Sequence, residues 1–276
     1  MDRLQKRLYF DNEIIESIYS TISEIDSVKK SWNYITKSLP LTENLIQTTI
    51  IISTGASNRI EGNILNDEEV ENIYKNISKQ EFSSRDENDV KGYLESLEII
   101  FENYNEIKLS ESNILYFHKK IIENGGNYKT SQNRVEAKNS QGEIIGVIFE
   151  PTPPYLVSKE MQELIEWYFW AMDKKHPLIL IANFIFEFLA IHPFLDGNGR
   201  MSRLLTNLLL LQNGYLFTKI SSHESIIEKR KGDYYLSLRK TQNSWKKENE
   251  NIYPWLKFFL EVLKEQSEET LLLCEK

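Results

Sequence analysis

The sequence predicts an all-α protein, a bundle of helices interrupted by one small β-hairpin. Three observations carry this. Glycine and proline are scarce, 11 and 7 of 276 residues, so few positions break a helix. Apolar residues recur at helical spacing over most of the chain, as in "ENDVKGYLESLEIIFENY" at 87–104. One stretch alone, "RVEAKNSQGEIIGVIF" at 134–149, sets two short β-prone pieces around the turn signal "NSQG".

Residues 1 to about 80 read as helices joined by short polar loops, with Thr42 as the cap of a helix beginning "LTENLIQTTIIIS". In "SNRIEGN", Ser57 and Glu61 lie four apart at the end of a helix that Gly62 stops. A glutamate in a last turn faces the negative end of the helix dipole, which a cation opposite would relieve. Helices follow at 87–104 and, behind a Ser110 cap, at 112–123. After the hairpin, "EPTPP" ends the ladder because proline lacks the donor. Residues 158–172 are helical again, with Trp167 and Trp170, like Trp255, expected in the core. Pro177 suits the first turn of a helix at 178–191, "LILIANFIFEFLAI". Its only polar residues are Asn183 and Glu187, so it is expected to be the central helix, buried nearly all round. A second core helix runs from about 200 to 212, with Leu204, Leu205, Leu208 and Leu209 facing inward and Gly214 as its stop. The run "KKENEN" at 246–251 reads as a solvated loop, and His118, His176 and His223 as structural or surface residues.

Bulk properties exclude several classes. A net charge of −8 gives no electrostatic help to nucleic-acid binding. One cysteine, Cys274, permits no intramolecular disulfide and fits a reducing compartment. The start "MDRLQKRLYF" lacks a signal-peptide core, and the apolar run at 178–191 falls short of the ~20 residues a membrane span needs. A soluble cytoplasmic protein is expected, with neither membrane nor nucleic acid as partner.

The two core helices are joined by "IHPFLDGNGRMSRLL" at 191–205, a polar interruption of the most apolar region. Gly197, Asn198 and Gly199 open a helix whose N–H groups and dipole end suit an anion such as phosphate. Arg200 and Arg203, three apart on that helix, add guanidinium contacts to phosphate. Asp196, a carboxylate beside an anion site, suits a bridging Mg²⁺. His192 is a base within reach of the same pocket. Taken singly each residue has a structural reading. Their co-occurrence between two core helices points to nucleotide chemistry.

"HPFLDGNGRMSR" resembles the signature of the Fic family, His-x-Phe-x-Asp/Glu-Gly-Asn-Gly-Arg-x-x-Arg, at every specified position. The resemblance extends over roughly 85–265. "PTPPYLVSKEM" is similar to the segment after the family's flap, "SIIEKRKGDYYLSL" to its adenine-side segment and "YPWLKFFLEVL" to its closing helix. It implies a Fic-type helical bundle with a hairpin flap: an N-terminal helical region at 1–84, a catalytic core at 85–265 and a helical tail at 266–276. It also implies AMP transfer from ATP, with Mg²⁺ or Mn²⁺, to a Ser, Thr or Tyr hydroxyl of a target protein. His192 would be the base, Asp196 the metal ligand, Gly197, Asn198 and Gly199 the phosphate nest, Arg200 and Arg203 the holders of the β- and γ-phosphates. Phe194 would anchor the loop in the core. Tyr234 and Gln242 (or Asn243) would flank the adenine, though Lys229 stands where many members have asparagine. Gly146, Val147, Ile148 and Phe149 would form the flap edge that pairs with an extended target segment. Self-modification and a homodimer are compatible with the resemblance, and the oligomeric state is left open.

"SNRIEGN" resembles the family's inhibitory motif, Ser/Thr-x-x-x-Glu-Gly/Asn, in Ser57, Glu61 and Gly62. In that arrangement Glu61 pairs with Arg203 and takes the place of the γ-phosphate. The leading expectation is an autoinhibited protein adenylyltransferase. The alternatives are removal of AMP at the same site, with Glu61 positioning water, and a non-catalytic nucleotide-sensing interaction module.

Overall fold

The computed structural model describes residues 2–38, 43–79, 81–138 and 144–274. In chain order the helices are α1 (Asp2–Lys6), α2 (Asn12–Ser38), α3 (Glu43–Ile60), α4 (Asp67–Asn76), α5 (Arg85–Asn103), α6 (Glu111–Ile121), α7 (Pro154–Ala171), α8 (Pro177–Ile191), α9 (Asn198–Gln212), α10 (His223–Lys229), α11 (Lys231–Gln242) and α12 (Tyr253–Cys274). Between α6 and α7, β1 (Val135–Lys138) pairs antiparallel with β2 (Ile144–Phe149), Val135 opposite Phe149. The residues joining these strands, and Thr42, expected to cap α3, lie outside the described residues. No helix among the described residues is long and apolar enough to cross a membrane.

Local chemistry explains the helix starts. Helix α5 begins at Arg85, two residues before the expected start, because Ser84 and Glu87 form a reciprocal capping box. Ser110 caps α6, its hydroxyl accepting from Asn113 N at 3.3 Å. Helix α7 begins at Pro154, where a missing N–H costs nothing. Gly214 ends α9 in the left-handed region at φ 79°.

Helix α8 is the centre of the bundle: every residue from Leu178 to Ile191 is buried. His176 caps it, and Pro177 occupies its first turn. Its two polar side chains must be satisfied inside the core. Arg7 does most of this, its Nε donating to Asn183 Oδ1 at 2.6 Å and its Nη1 to Glu187 Oε2 at 2.6 Å. Arg3 and the Trp245 indole complete the shell of Glu187. A buried carboxylate on α8 therefore draws the N-terminal helix into the core. Leu4 and Leu8 belong to the same apolar cluster as Leu256 and Leu263.

Further packing ties the ends together. Helix α2 lies along α12, and α3 against α10 and α5. One apolar cluster takes residues from both sides of 84/85, and α12 is continuous through 265/266.

One expectation needs correction. Trp170 is not core: it is 46% exposed and lies under the Lys174 ammonium. The buried stripe of α7 passes through Met161, Leu164, Trp167 and Ala171, and Trp170 falls off it. The run 246–251 is a mostly exposed loop, as expected, tied down at two points. Glu250 accepts from Arg3 at 2.8 Å, and Lys246 Nζ donates to Glu160 at 2.5 Å.

The Arg7–Glu187 pair yields a test. Burial opposes the Glu187 charge, but Arg7 and Arg3 beside it outweigh that and pull its pKa from 4.5 to about 2. A carboxyl depressed by folding adds stability above its unfolded pKa and loses it as pH falls through the folded one. Arg7→Met is expected to lower unfolding free energy by about 3 kcal/mol at neutral pH. The wild-type advantage should shrink as pH falls from 4.5 toward 2. Urea midpoints measured across that range check both.

Candidate functional site

The site begins where α8 ends. His192 is the C-cap residue of α8 and takes the left-handed conformation, φ 52° and ψ 63°. Its Nδ1 lies 3.2 Å from Leu189 O. A carbonyl only accepts, so Nδ1 carries the proton and Nε2 keeps its lone pair. Burial, with the nearby Lys129 charge, pulls the imidazole down to about 4, against opposing pulls from Glu61 and Asp196. At neutral pH it is an uncharged base.

The following loop is held by its own residues. Phe194 is fully buried and stacks on the His118 ring, centroids 3.6 Å apart. His118 Nδ1 accepts from Gly126 N at 2.9 Å, which leaves Nε2–H to donate to Asp196 O at 3.1 Å. His118 is structural, as expected, but its structural task is this loop. The Asn198 side chain spans it from within, accepting from Phe194 N at 3.0 Å and donating to Phe194 O at 2.8 Å. Asn198 therefore braces the turn and is not turned outward to a ligand. Gly197 sits at φ 80°, and a Cβ there would come within 2.7 Å of Ile122.

Helix α9 starts at Asn198 with no side-chain cap on its first turn. The Glu61 carboxylate comes to that turn from the end of α3. Its Oε1 accepts from Arg203 Nη2 at 2.7 Å, and a Cβ on Gly199 would overlap it. Arg203 is 2% exposed and also donates from Nε to Ser57 Oγ and from Nη2 to Ser57 O, both at 2.8 Å. Ser57, Glu61 and Arg203 are thus brought together, and Gly62, at φ 98°, turns the chain away after α3. The carboxylate stands where an anionic oxygen of a ligand would be held: against a helix N-terminus, on a guanidinium.

The two arginines diverge. Arg200 is buried on Asp89 of α5 at 2.7 Å, while Arg203 faces α3. Asp196 is about half exposed, bonded to Gly197 N at 2.6 Å and Arg85 at 2.5 Å. Among the described residues no three His, Cys, Asp or Glu side chains cluster to hold a metal by themselves. A lone exposed carboxylate beside an anion site fits a divalent cation whose remaining ligands are phosphate oxygens and water.

A cavity of about 490 Å³ opens beside these groups, lined by Glu61, His192, Gly199, Tyr234, Arg239 and Gln242 among others. Tyr234 is both wall and core, buried against Trp255 and Phe258. Sequence reasoning missed Tyr235 and Arg239. Their spacing with Gln242, four then three residues along α11, puts all three on one helix face and was the available signal. Asn243 ends α11, and Lys229 reaches Glu269, outside the cavity lining. Gly146, Val147 and Ile148 lie in β2, whereas the Phe149 ring is buried against Trp245, 5.2 Å between centroids, and is not a docking side chain.

Residues 108–210 match the Fic/DOC family. The chain carries a Fic/DOC domain. It is 36% identical over 86 residues to a probable protein adenylyltransferase of Aquifex aeolicus, covering 30% of this chain and 26% of that protein. It is 41% identical over 66 residues to a Fido domain-containing protein of Dictyostelium discoideum, covering 23% of this chain and 46% of that one. The matches therefore span less than half the length of these curated relatives. A Fic family protein from Desulfovibrio desulfuricans shares the fold over 97% of this chain and 77% of its own, TM-score 0.78 at 23% identity. The matched Fic segment holds His192 through Arg203, while Glu61 and Tyr234 come to the cavity from outside it.

The loop geometry predicts an order of glycine sensitivity. Gly197→Ala needs both a strained φ and a shift of Ile122, whereas Gly62→Ala has a strained φ but open space. Thermal or urea unfolding should show about 2 kcal/mol lost for the first and about 1 kcal/mol for the second. Equal losses would contradict the tight packing of the Fic loop on α6.

Proposed function

We propose that this Fic domain is an autoinhibited protein adenylyltransferase, moving AMP from ATP to a hydroxyl of a target protein. The observation that carries this is the Glu61 carboxylate on Arg203, filling an anion site beside an uncharged His192. The protein adenylyltransferase named among the relatives supports the activity.

In this reading the polyphosphate binds at the first turn of α9, whose N–H groups need no reorganisation to meet it. Gly199 lets it approach, and Arg203 holds its distal end. His192 Nε2 takes the proton of the target hydroxyl as that oxygen bonds to the α-phosphorus. The bond from the α-phosphorus to the bridging oxygen breaks on the opposite side, and pyrophosphate leaves with that electron pair. A divalent ion on Asp196 would neutralise phosphate charge, with Arg85 giving up its contact. Tyr234 and Gln242 wall the adenine side. The edge of β2 that does not pair with β1 would align an extended target segment, giving register with little demand on its side chains.

Glu61 opposes this chemistry twice. It occupies one arginine, and it places negative charge where phosphate charge must go. Glu61→Gly should raise labelling of protein by radiolabelled ATP, self-modification included, at least about tenfold, or ~1.4 kcal/mol of released inhibition. Arg203→Ala should not mimic it, because it deletes a phosphate contact along with the latch. The double variant should resemble Arg203→Ala. Equal rates for wild type and Glu61→Gly at saturating ATP would refute the latch.

The base is tested separately. In the Glu61→Gly background, His192→Ala should cost about 10²–10⁴-fold in transfer while ATP binding persists. Because burial keeps the imidazole neutral down to about 4, the rate should stay flat from pH 8 to about 6, with the acid limb falling below 6. An acid limb centred at or above 6.5 argues against His192 as the base.

A further inference from the structure

Lys129 is a buried ammonium that the proposed chemistry does not use. It is 3% exposed and forms no ion pair with a described carboxylate. Its Nζ donates instead to Asn133 Oδ1 at 2.7 Å and to Ile191 O at 3.4 Å. Its backbone N–H donates to Pro193 O at 2.9 Å. Asn133 in turn donates to Phe194 O at 2.9 Å. The segment 129–133 thus holds the carbonyls of Ile191, Pro193 and Phe194, the residues on either side of His192.

We propose that Lys129 is a positioning residue for His192, its ammonium capping the carbonyl end of α8 and fixing the left-handed turn that carries the imidazole. The physical case has three parts. The last carbonyls of α8 lack helical partners and carry the negative end of its dipole, where a cation is favoured. A non-glycine residue at φ 52° is costly unless its surroundings over-determine it, and the donors from 129 and 133 do so. A positive charge beside an imidazole also opposes its protonation, so the cation that sets the geometry also keeps the base free. The other charged groups around His192 are Glu61, at the end of α3, and Asp196, in the loop, both of which pull the other way. Arg239 of α11 lines the same cavity. Lys129 is the charge from the 129–133 side.

The inference rests on reading His192 as the base, but its test reads protonation, not turnover, so either can fail alone. The full chain, labelled with ¹⁵N-histidine and carbonyl-¹³C isoleucine, is titrated by NMR as wild type, Lys129→Arg and Lys129→Met. Lys129→Met should raise the His192 midpoint by about half a pH unit or more, and Lys129→Arg, which keeps the charge, should restore it to within about 0.2 unit of wild type. A purely structural lysine would lower thermal stability without moving that midpoint. A folded Lys129→Met with an unchanged His192 midpoint overturns the proposal. If Lys129→Met does not fold, the wild type decides. Burial, against an opposing pull from the Glu160 carboxylate of α7, pushes the Lys129 ammonium down to about 8, so titration through that value neutralises it in place. The Ile191 carbonyl carbon and the His192 ring nitrogens should then shift together with the Lys129 midpoint. Absence of a coincident step overturns the proposal as well.

Discussion

Burial of α8 on all sides constrains everything around it. A helix with no solvent face must find internal partners for its polar side chains and for its carbonyl end. Asn183 and Glu187 find theirs in Arg7 and Arg3, which brings α1 into the core. The carbonyl end finds partners in the His192 ring and amide and in Lys129. His192 therefore projects from a helix buried along its whole length, which in the proposed reading holds the base in place for a reacting oxygen.

The same logic applies to Arg203. A guanidinium buried to 2% has to be met by acceptors, and α3 supplies them through Ser57 and Glu61. The N-terminal helices and the Fic segment are joined at this side chain. In the proposed reading, a phosphate and Glu61 compete for one site because each satisfies the same buried cation and the same uncapped turn of α9. Inhibition then needs no conformational device beyond the helix end itself. The absence of a Cβ at Gly199 is what admits the Glu61 carboxylate, and in that reading the phosphate too.

The loop between α8 and α9 is braced from two directions. From α6, His118 stacks on Phe194 and bonds the Asp196 carbonyl. From 129–133, Lys129 and Asn133 hold the carbonyls flanking His192. Asn198 closes the turn on itself. The residues of the motif that look most suited to a ligand are in part occupied with each other, and fewer of them face the cavity than their spacing suggests.

The sequence by itself determined the helical class, the buried character of α8, the stop at Gly214 and the concentration of chemistry between 191 and 205. Those follow from local rules: periodicity, capping and the conformational freedom of glycine act within a few residues and leave a linear trace. It also placed Ser57 and Glu61 on one helix end, because four residues make one turn. It did not determine which way Arg200 and Arg203 aim, since three residues apart on a helix is also about 60° apart, enough for one to meet Asp89 and the other Glu61. Nor did it reveal the tasks of His118, Lys129 and Arg7. Each is tens of residues or more from its partner, and a lone polar residue among apolar neighbours carries no mark of the distant carbonyl or carboxylate it will satisfy. That pairing is decided only when the helices pack, because burial makes every unsatisfied polar group costly and leaves few arrangements that satisfy them all.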